Sequence, residues 1–301
     1  MLDGGLSTEL ERRGHDLTGR LWSARLLNDA PEAVRAVHTA FLQAGADVIT
    51  TAGYQATSEG FVRAGFSATE ADRLLRRSVE LAQQARDLAG DGPVWVAGSV
   101  GPYGALLADG SEYTGDYGPD VDRARLQRFH RPRLELPAAA GVDVLALETV
   151  PSLLETEALA IEVAALGHPA WLSLTTTTGP DGVVRTRRGE PAAEAFAVAA
   201  EVDVIIAVGV NCTDPAGLGA AISVAAEASG KPVIAYPNSG EDWDAESRSW
   251  TGTSTDAGFS RAAIKSWLDA GARMIGGCCR VGPTTISEVA RQLDRPVRAT
   301  E

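Results

Sequence analysis

The chain has 301 residues, of which 45% are hydrophobic and 22% charged, and its formal net charge is −13. Of its 27 basic residues only Lys231 and Lys265 are lysine, and no basic run occurs, which argues against nucleic acid and against polyanionic substrates as partners. No apolar stretch reaches membrane-spanning length, and Met1-Leu2-Asp3-Gly4-Gly5 has none of the features of a signal peptide, so no membrane partner and a cytoplasmic location are expected.

Apolar runs alternate with helical patterns from end to end. Strands are expected over 1–3, 47–51, 94–100, 143–149, 170–175, 204–210, 233–236 and 273–276. Amphipathic helices are expected over 31–44, 69–89, 120–140, 152–166, 192–200, 215–229, 260–270 and 283–293. The third of these carries Pro132 and Pro137, which predicts a kink or an early end. The first strand is very short. Eight strands, each followed by a helix, point to an α/β chain folded as a single (β/α)8 barrel across residues 1–301. The strands are almost wholly apolar, as parallel strands covered on both faces must be. Two connections are long, 101–119 and 237–258, and both follow strand C-termini, the face on which barrels of this kind carry their chemistry.

Cysteine is used three times: at Cys212, after the sixth expected strand, and at Cys278 and Cys279, after the eighth. In a barrel these strand ends open onto one face, which joins the three into one constellation. Three thiolates with a fourth position open describe a catalytic zinc site, and soft sulfur selects zinc among divalent metals. Neighbouring residues on a regular strand face opposite ways, so Cys278 and Cys279 need a backbone turn to share an ion, and Gly276-Gly277 is expected to supply it. Buried structural thiols and a redox pair of neighbours are the competing readings. An odd cysteine count without a secretion signal favours reduced thiols. The histidines, His15, His38, His130 and His168, fall outside the strand C-termini, and no dinucleotide-binding glycine fingerprint is present.

Segments in fixed order carry a resemblance over nearly the whole chain: Asp3-Gly4-Gly5 with Ser7-Thr8-Glu9-Leu10, Thr51-Ala52-Gly53-Tyr54-Gln55, Gly98-Ser99-Val100-Gly101-Pro102-Tyr103-Gly104, Leu147-Glu148-Thr149, Val210-Asn211-Cys212, Tyr236-Pro237-Asn238-Ser239-Gly240 and Gly276-Gly277-Cys278-Cys279-Arg280. They resemble the zinc-dependent homocysteine S-methyltransferases, in the branch that takes methyl from S-methylmethionine or S-adenosylmethionine rather than from betaine. The resemblance implies a (β/α)8 barrel, zinc on Cys212, Cys278 and Cys279, and the substrate thiolate in the fourth position. It further implies that Asp3 and Glu148 hold the substrate ammonium, and that backbone amides near Gly4-Gly5 and Thr50-Thr51 hold its carboxylate.

A free thiol is a weak nucleophile at neutral pH, and a bound metal deprotonates it, so no protein base is required. The expected reaction is in-line displacement of the methyl group from a sulfonium sulfur, yielding methionine. A sulfonium has no proton to donate, so carboxylates or aromatic faces must recognise it. Tyr54, Tyr103, Tyr113, Tyr117 and Trp243 are the aromatic candidates, and Glu241, Asp242 and Asp244 the acidic ones. Asn211 is expected to orient a cysteine from behind. The choice of donor, another thiol or selenol as acceptor, and a non-enzymatic redox or metal-binding role stay open at this level.

Overall fold

The computed structural model describes residues 1–19, 21–90, 92–244, 249–251 and 256–295. Its strands, in chain order, are β1 (Val48–Thr50), β2 (Trp95–Val100), β3 (Val144–Val150), β4 (Ala170–Leu174), β5 (Thr176–Thr178), β6 (Val184–Thr186), β7 (Ile205–Asn211), β8 (Val233–Tyr236), β9 (Asp242–Asp244), β10 (Ser249–Thr251) and β11 (Ala272–Ile275). Seven of them form one sheet in the order β1-β2-β3-β4-β7-β8-β11, every neighbouring pair parallel. β3 and β4 are buried at every residue, which is why they read as unbroken apolar runs rather than as alternation.

The opening residues close the sheet. Leu2 forms a parallel bridge to Val48, and its N–H donates to the Ile275 carbonyl at 3.0 Å. The Asp3 N–H donates to Val48, and the Gly277 N–H donates to the Asp3 carbonyl at 2.9 Å. A segment too short to hold an ordered strand alone therefore joins both edges of the ring, with β1 on one side and β11 on the other. Inside the ring Leu2, Val48, Ala97, Val144, Trp171 and Ile234 pack together. The larger core lies between the sheet and the outer helices.

The helix Arg123–Ala139 runs through both Pro132 and Pro137 and does not end early. Each proline removes a helical hydrogen bond. Tertiary contacts with the helix Leu153–Leu166 offset the loss: Arg131 pairs with Glu162 at 2.7 Å, and His130 meets Glu155 at 2.8 Å. Other elements lie outside the alternating pattern. They include the helices Leu6–Arg12 and Ser58–Arg63 and the antiparallel hairpin of β5 and β6, which rises from the end of β4. In the second long connection β9 pairs with β10, and the side chains of Asp242, Trp243 and Asp244 lie outside the described part of the structure. Among the described residues no helix is long and apolar enough to cross a membrane.

Candidate functional site

Cys212 follows β7 directly, and Cys278 and Cys279 follow β11 by two glycines. Their sulfurs converge: Cys212 Sγ lies 2.7 Å from Cys278 Sγ and 3.8 Å from Cys279 Sγ, and the last two are 4.0 Å apart. All three are free thiols. Among the described residues this is the only group of His, Cys, Asp and Glu side chains able to surround a metal ion. A tetrahedral site with Zn–S bonds of about 2.3 Å has an edge of about 3.8 Å. Two of the three separations match it, and the third stands inside that edge yet beyond disulfide length. The Cys278 contact, and then burial, hold the Cys212 thiol well above its ordinary range. One buried and two half-buried thiols in mutual contact are a donor set for a soft dication, and they fit zinc.

The backbone is strained at this corner. Cys212 has φ 47° and Arg280 φ 66°, both left-handed without glycine. Gly276 and Gly277 are not in that region. They are glycines because a side chain on Gly276 would strike Leu2, and one on Gly277 would strike Val281. The expected turn falls at Cys279-Arg280, closed by the Val281 N–H donating to the Cys278 carbonyl at 3.2 Å, and the glycines serve close packing. The segment after β8 pins the pair: the Cys278 N–H donates to the Pro237 carbonyl at 2.8 Å, and the Cys279 N–H to Asn238 Oδ1 at 3.1 Å.

Below the sulfurs stand two buried carboxylates. Asp3 accepts from the Thr50 N–H at 2.7 Å and from the Thr50 hydroxyl. Burial, with the Glu148 charge adding to it, pushes its carboxyl up to about 8. Glu148, on β3, accepts from the Ser99 hydroxyl and meets the Tyr236 hydroxyl, and burial raises it to about 7. Neither makes an ion pair among the described residues. Each therefore has an unmet preference for a cation, which an ammonium group would satisfy.

Three of the amides expected to bind a carboxylate are engaged elsewhere. The Thr50 N–H serves Asp3, the Thr51 N–H donates to the Ala97 carbonyl at 2.9 Å, and the Gly5 N–H donates to the Val281 carbonyl at 2.9 Å. Gly4 and Gly5 are needed for space, since side chains there would meet the carbonyls of Val281 and Cys278. Asn211 does not reach a cysteine with its side chain. Its Oδ1 accepts from the Thr149 N–H and its Nδ2 donates to the Thr149 hydroxyl, both at 2.8 Å. It holds Thr149, at φ 60°, in an unfavourable conformation for a β-branched residue, and so fixes the end of the strand that presents Glu148.

Of the aromatic candidates, two face the sulfurs. The Tyr113 hydroxyl hydrogen-bonds Cys279, and the Tyr54 hydroxyl bonds Thr149. Tyr103 and Tyr117 turn away. Tyr117 donates to Glu155 at 2.6 Å, and the Tyr103 hydroxyl accepts from Arg125. Glu241 is occupied by Arg280 at 3.0 Å and by the Ser239 hydroxyl. The pattern in the sequence missed Glu112, a buried carboxylate whose charge acts on both Tyr54 and Tyr113. Its position next to Tyr113 in the first long connection was the available signal. It also missed Arg133, which donates to the Gly101 and Tyr54 carbonyls, and Arg187, which donates to the Thr175 hydroxyl and the Cys212 carbonyl. Their helix and hairpin positions carry no mark of the site.

Residues 1–293 match the family model described as Homocysteine S-methyltransferase. The chain is 46% identical to Homocysteine S-methyltransferase 4 of Zea mays, over 97% of this chain and 88% of that one. It is 42% identical to the selenocysteine methyltransferase of Astragalus bisulcatus, over 97% and 92%. The crystal structure of the metallated form of the homocysteine methyltransferase MmuM from Escherichia coli superposes with a TM-score of 0.83 at 38% identity, over 97% and 95% of the two chains. Parallel strands closed into a ring, three converging sulfurs and this likeness over almost the full length agree: the chain belongs to the homocysteine S-methyltransferase family and is an enzyme that transfers methyl to homocysteine.

Proposed function

We propose that the enzyme is zinc-dependent, that its methyl donor is a sulfonium (S-methylmethionine or S-adenosylmethionine), and that it works in the cytoplasm, where thiols stay reduced. The observation that carries the reading is the convergence of Cys212, Cys278 and Cys279 from two distant stretches of chain. When bound, the ion supplies deprotonation of the acceptor thiol. The residues of the chain do the rest. Asp3 and Glu148 take the acceptor ammonium, whose charge favours the ionised carboxylates. Glu112, Tyr54 and Tyr113 surround the approach from the loop side and suit a cationic sulfur. The acceptor sulfur attacks the methyl carbon, the bond from methyl to donor sulfur breaks, and its electron pair stays on a neutral thioether. The thiol proton is released to solvent. Positioning is the main contribution, with reacting atoms held about 3–3.5 Å apart and in line. Residues 1–301 act as one homocysteine-binding barrel.

A selenol acceptor is a second reading, supported by the likeness to a plant selenocysteine methyltransferase. The test is metal analysis of the purified protein together with a panel of S-methylmethionine, S-adenosylmethionine and betaine as donors, against homocysteine and selenocysteine. One zinc per chain and methionine formed from a sulfonium support the proposal. A metal-free protein with a Cys278–Cys279 bridge, or transfer from betaine alone, overturns it.

A further inference from the structure

The site is acidic from its floor to its mouth. Asp3, Glu112 and Glu148 are all buried there beside three thiols. That suits a cationic sulfur and repels the carboxylate of an amino-acid donor. A cation is needed to hold that carboxylate, and the arginines near the mouth are nearly all spent. Arg280 pairs with Glu241 at 3.0 Å, and Arg188 pairs with Asp116 at 3.0 Å. Arg133 is buried and directs both Nη atoms to main-chain carbonyls.

Arg187 is the exception. It is half-buried, its Nε donates to the Thr175 hydroxyl at 3.2 Å, and its Nη2 lies 3.5 Å from the Cys212 carbonyl. Both partners are neutral. It makes no ion pair among the described residues, and two neutral oxygens leave most of its five N–H donors without a bond. Its neighbours hold it in place. The Arg188 N–H donates to the Pro151 carbonyl at 3.0 Å, and the Arg188–Asp116 pair ties this stretch to the connection that carries Tyr113.

We propose that Arg187 binds the α-carboxylate of the methyl donor, so that the donor class is a sulfonium amino acid with a free carboxylate. The inference rests on the sulfonium reading of the proposed function. The donor is chosen over the acceptor because of layers. Asp3 and Glu148 bond to the strand residues Thr50 and Ser99, so the acceptor lies along the barrel floor between them and the sulfurs. Arg187 belongs to the loop layer above β4 and β7, the side from which a donor must approach the acceptor sulfur. A guanidinium fork matches a carboxylate bidentately, which an ammonium cannot do.

The test compares wild type, Arg187→Gln and Arg187→Lys, all zinc-loaded, with S-methylmethionine and its carboxyl methyl ester as donors at saturating homocysteine. Wild type should prefer the acid over the ester. In Arg187→Gln the KM for the acid should rise about 10–100-fold, the effect of losing a charge-assisted bond, while the ester KM moves less than about threefold. Arg187→Lys should recover part of the difference. Zinc content and Tm should match wild type. Equal losses on acid and ester, or a fall in zinc content, would make Arg187 a brace for the Cys212 backbone and overturn the proposal. So would a wild type indifferent to esterification, or a rise confined to the KM of homocysteine. If wild type uses no sulfonium at all, the donor reading itself fails and this inference fails with it.

Discussion

Two buried carboxylate centres in this molecule use the same chemistry to opposite ends. Glu155 is fully buried and accepts from the Tyr103 N–H at 2.6 Å, the Tyr117 hydroxyl at 2.6 Å and the His130 ring at 2.8 Å. Everything it needs comes from the protein, and in return it fastens both ends of the Tyr103–Tyr117 connection to the helices Arg123–Ala139 and Leu153–Leu166. Asp3 and Glu148 are buried too but, among the described residues, meet hydroxyls and main-chain N–H groups and no cation, and burial lifts both well above the carboxylate range. Burial alone therefore does not mark a functional acid. What separates the centres is whether the protein completes the hydrogen bonding and charge, or leaves a cation to be supplied.

Four measurements can break this contrast, the three substitutions running from the largest expected effect to the smallest. Cys212→Ala should remove metal and reduce methyl transfer to background, with the fold retained by circular dichroism; transfer that survives would end the three-sulfur account. Glu155→Ala should cost about 3–5 kcal/mol of stability in denaturant unfolding, because a buried histidine and tyrosine lose their partner, with the KM for homocysteine little changed in the folded fraction. Glu148→Gln should do the reverse, raising the KM for homocysteine about 10–100-fold while leaving stability near wild type. Equal behaviour of the two variants would erase the distinction.

The fourth measurement is of pH dependence. The carboxyls of Asp3 and Glu148 hold their protons more tightly folded than unfolded, at about 8 and about 7 against ordinary values of 3.8 and 4.5. The ligand-free folded state then binds more protons than the unfolded one across that window. Its stability should fall as pH rises from about 5 to about 8, and Asp3→Asn should flatten the slope. Homocysteine affinity should move the other way and increase over the same range, because an ammonium prefers the ionised acids. Calorimetry at several pH values reads both.

The barrel was legible in the chain because parallel strands covered on both faces leave continuous apolar runs, and β3 and β4 kept theirs almost to the residue. The hairpin of β5 and β6 was not, because its three-residue strands, with Thr177 and Thr178 exposed, leave too short a pattern to read. Nor was the persistence of the helix through Pro132 and Pro137, which partner contacts sustain against local preference.

The same division runs through the site. By itself the sequence determined which atoms are available for chemistry: three scarce cysteines at strand ends, an acid on β3 and another at the N-terminus. Only the tertiary structure decided how they are used. It brought sulfurs 66 and 67 residues apart in sequence into contact, turned Tyr103 and Tyr117 away while aiming Tyr113 at Cys279, consumed the amides of Gly5, Thr50 and Thr51, and left Arg187 without a charge partner among the described residues. The reason is physical: residue type fixes what a group can donate, accept or ionise, but whether that capacity is already met depends on neighbours brought in from far along the chain.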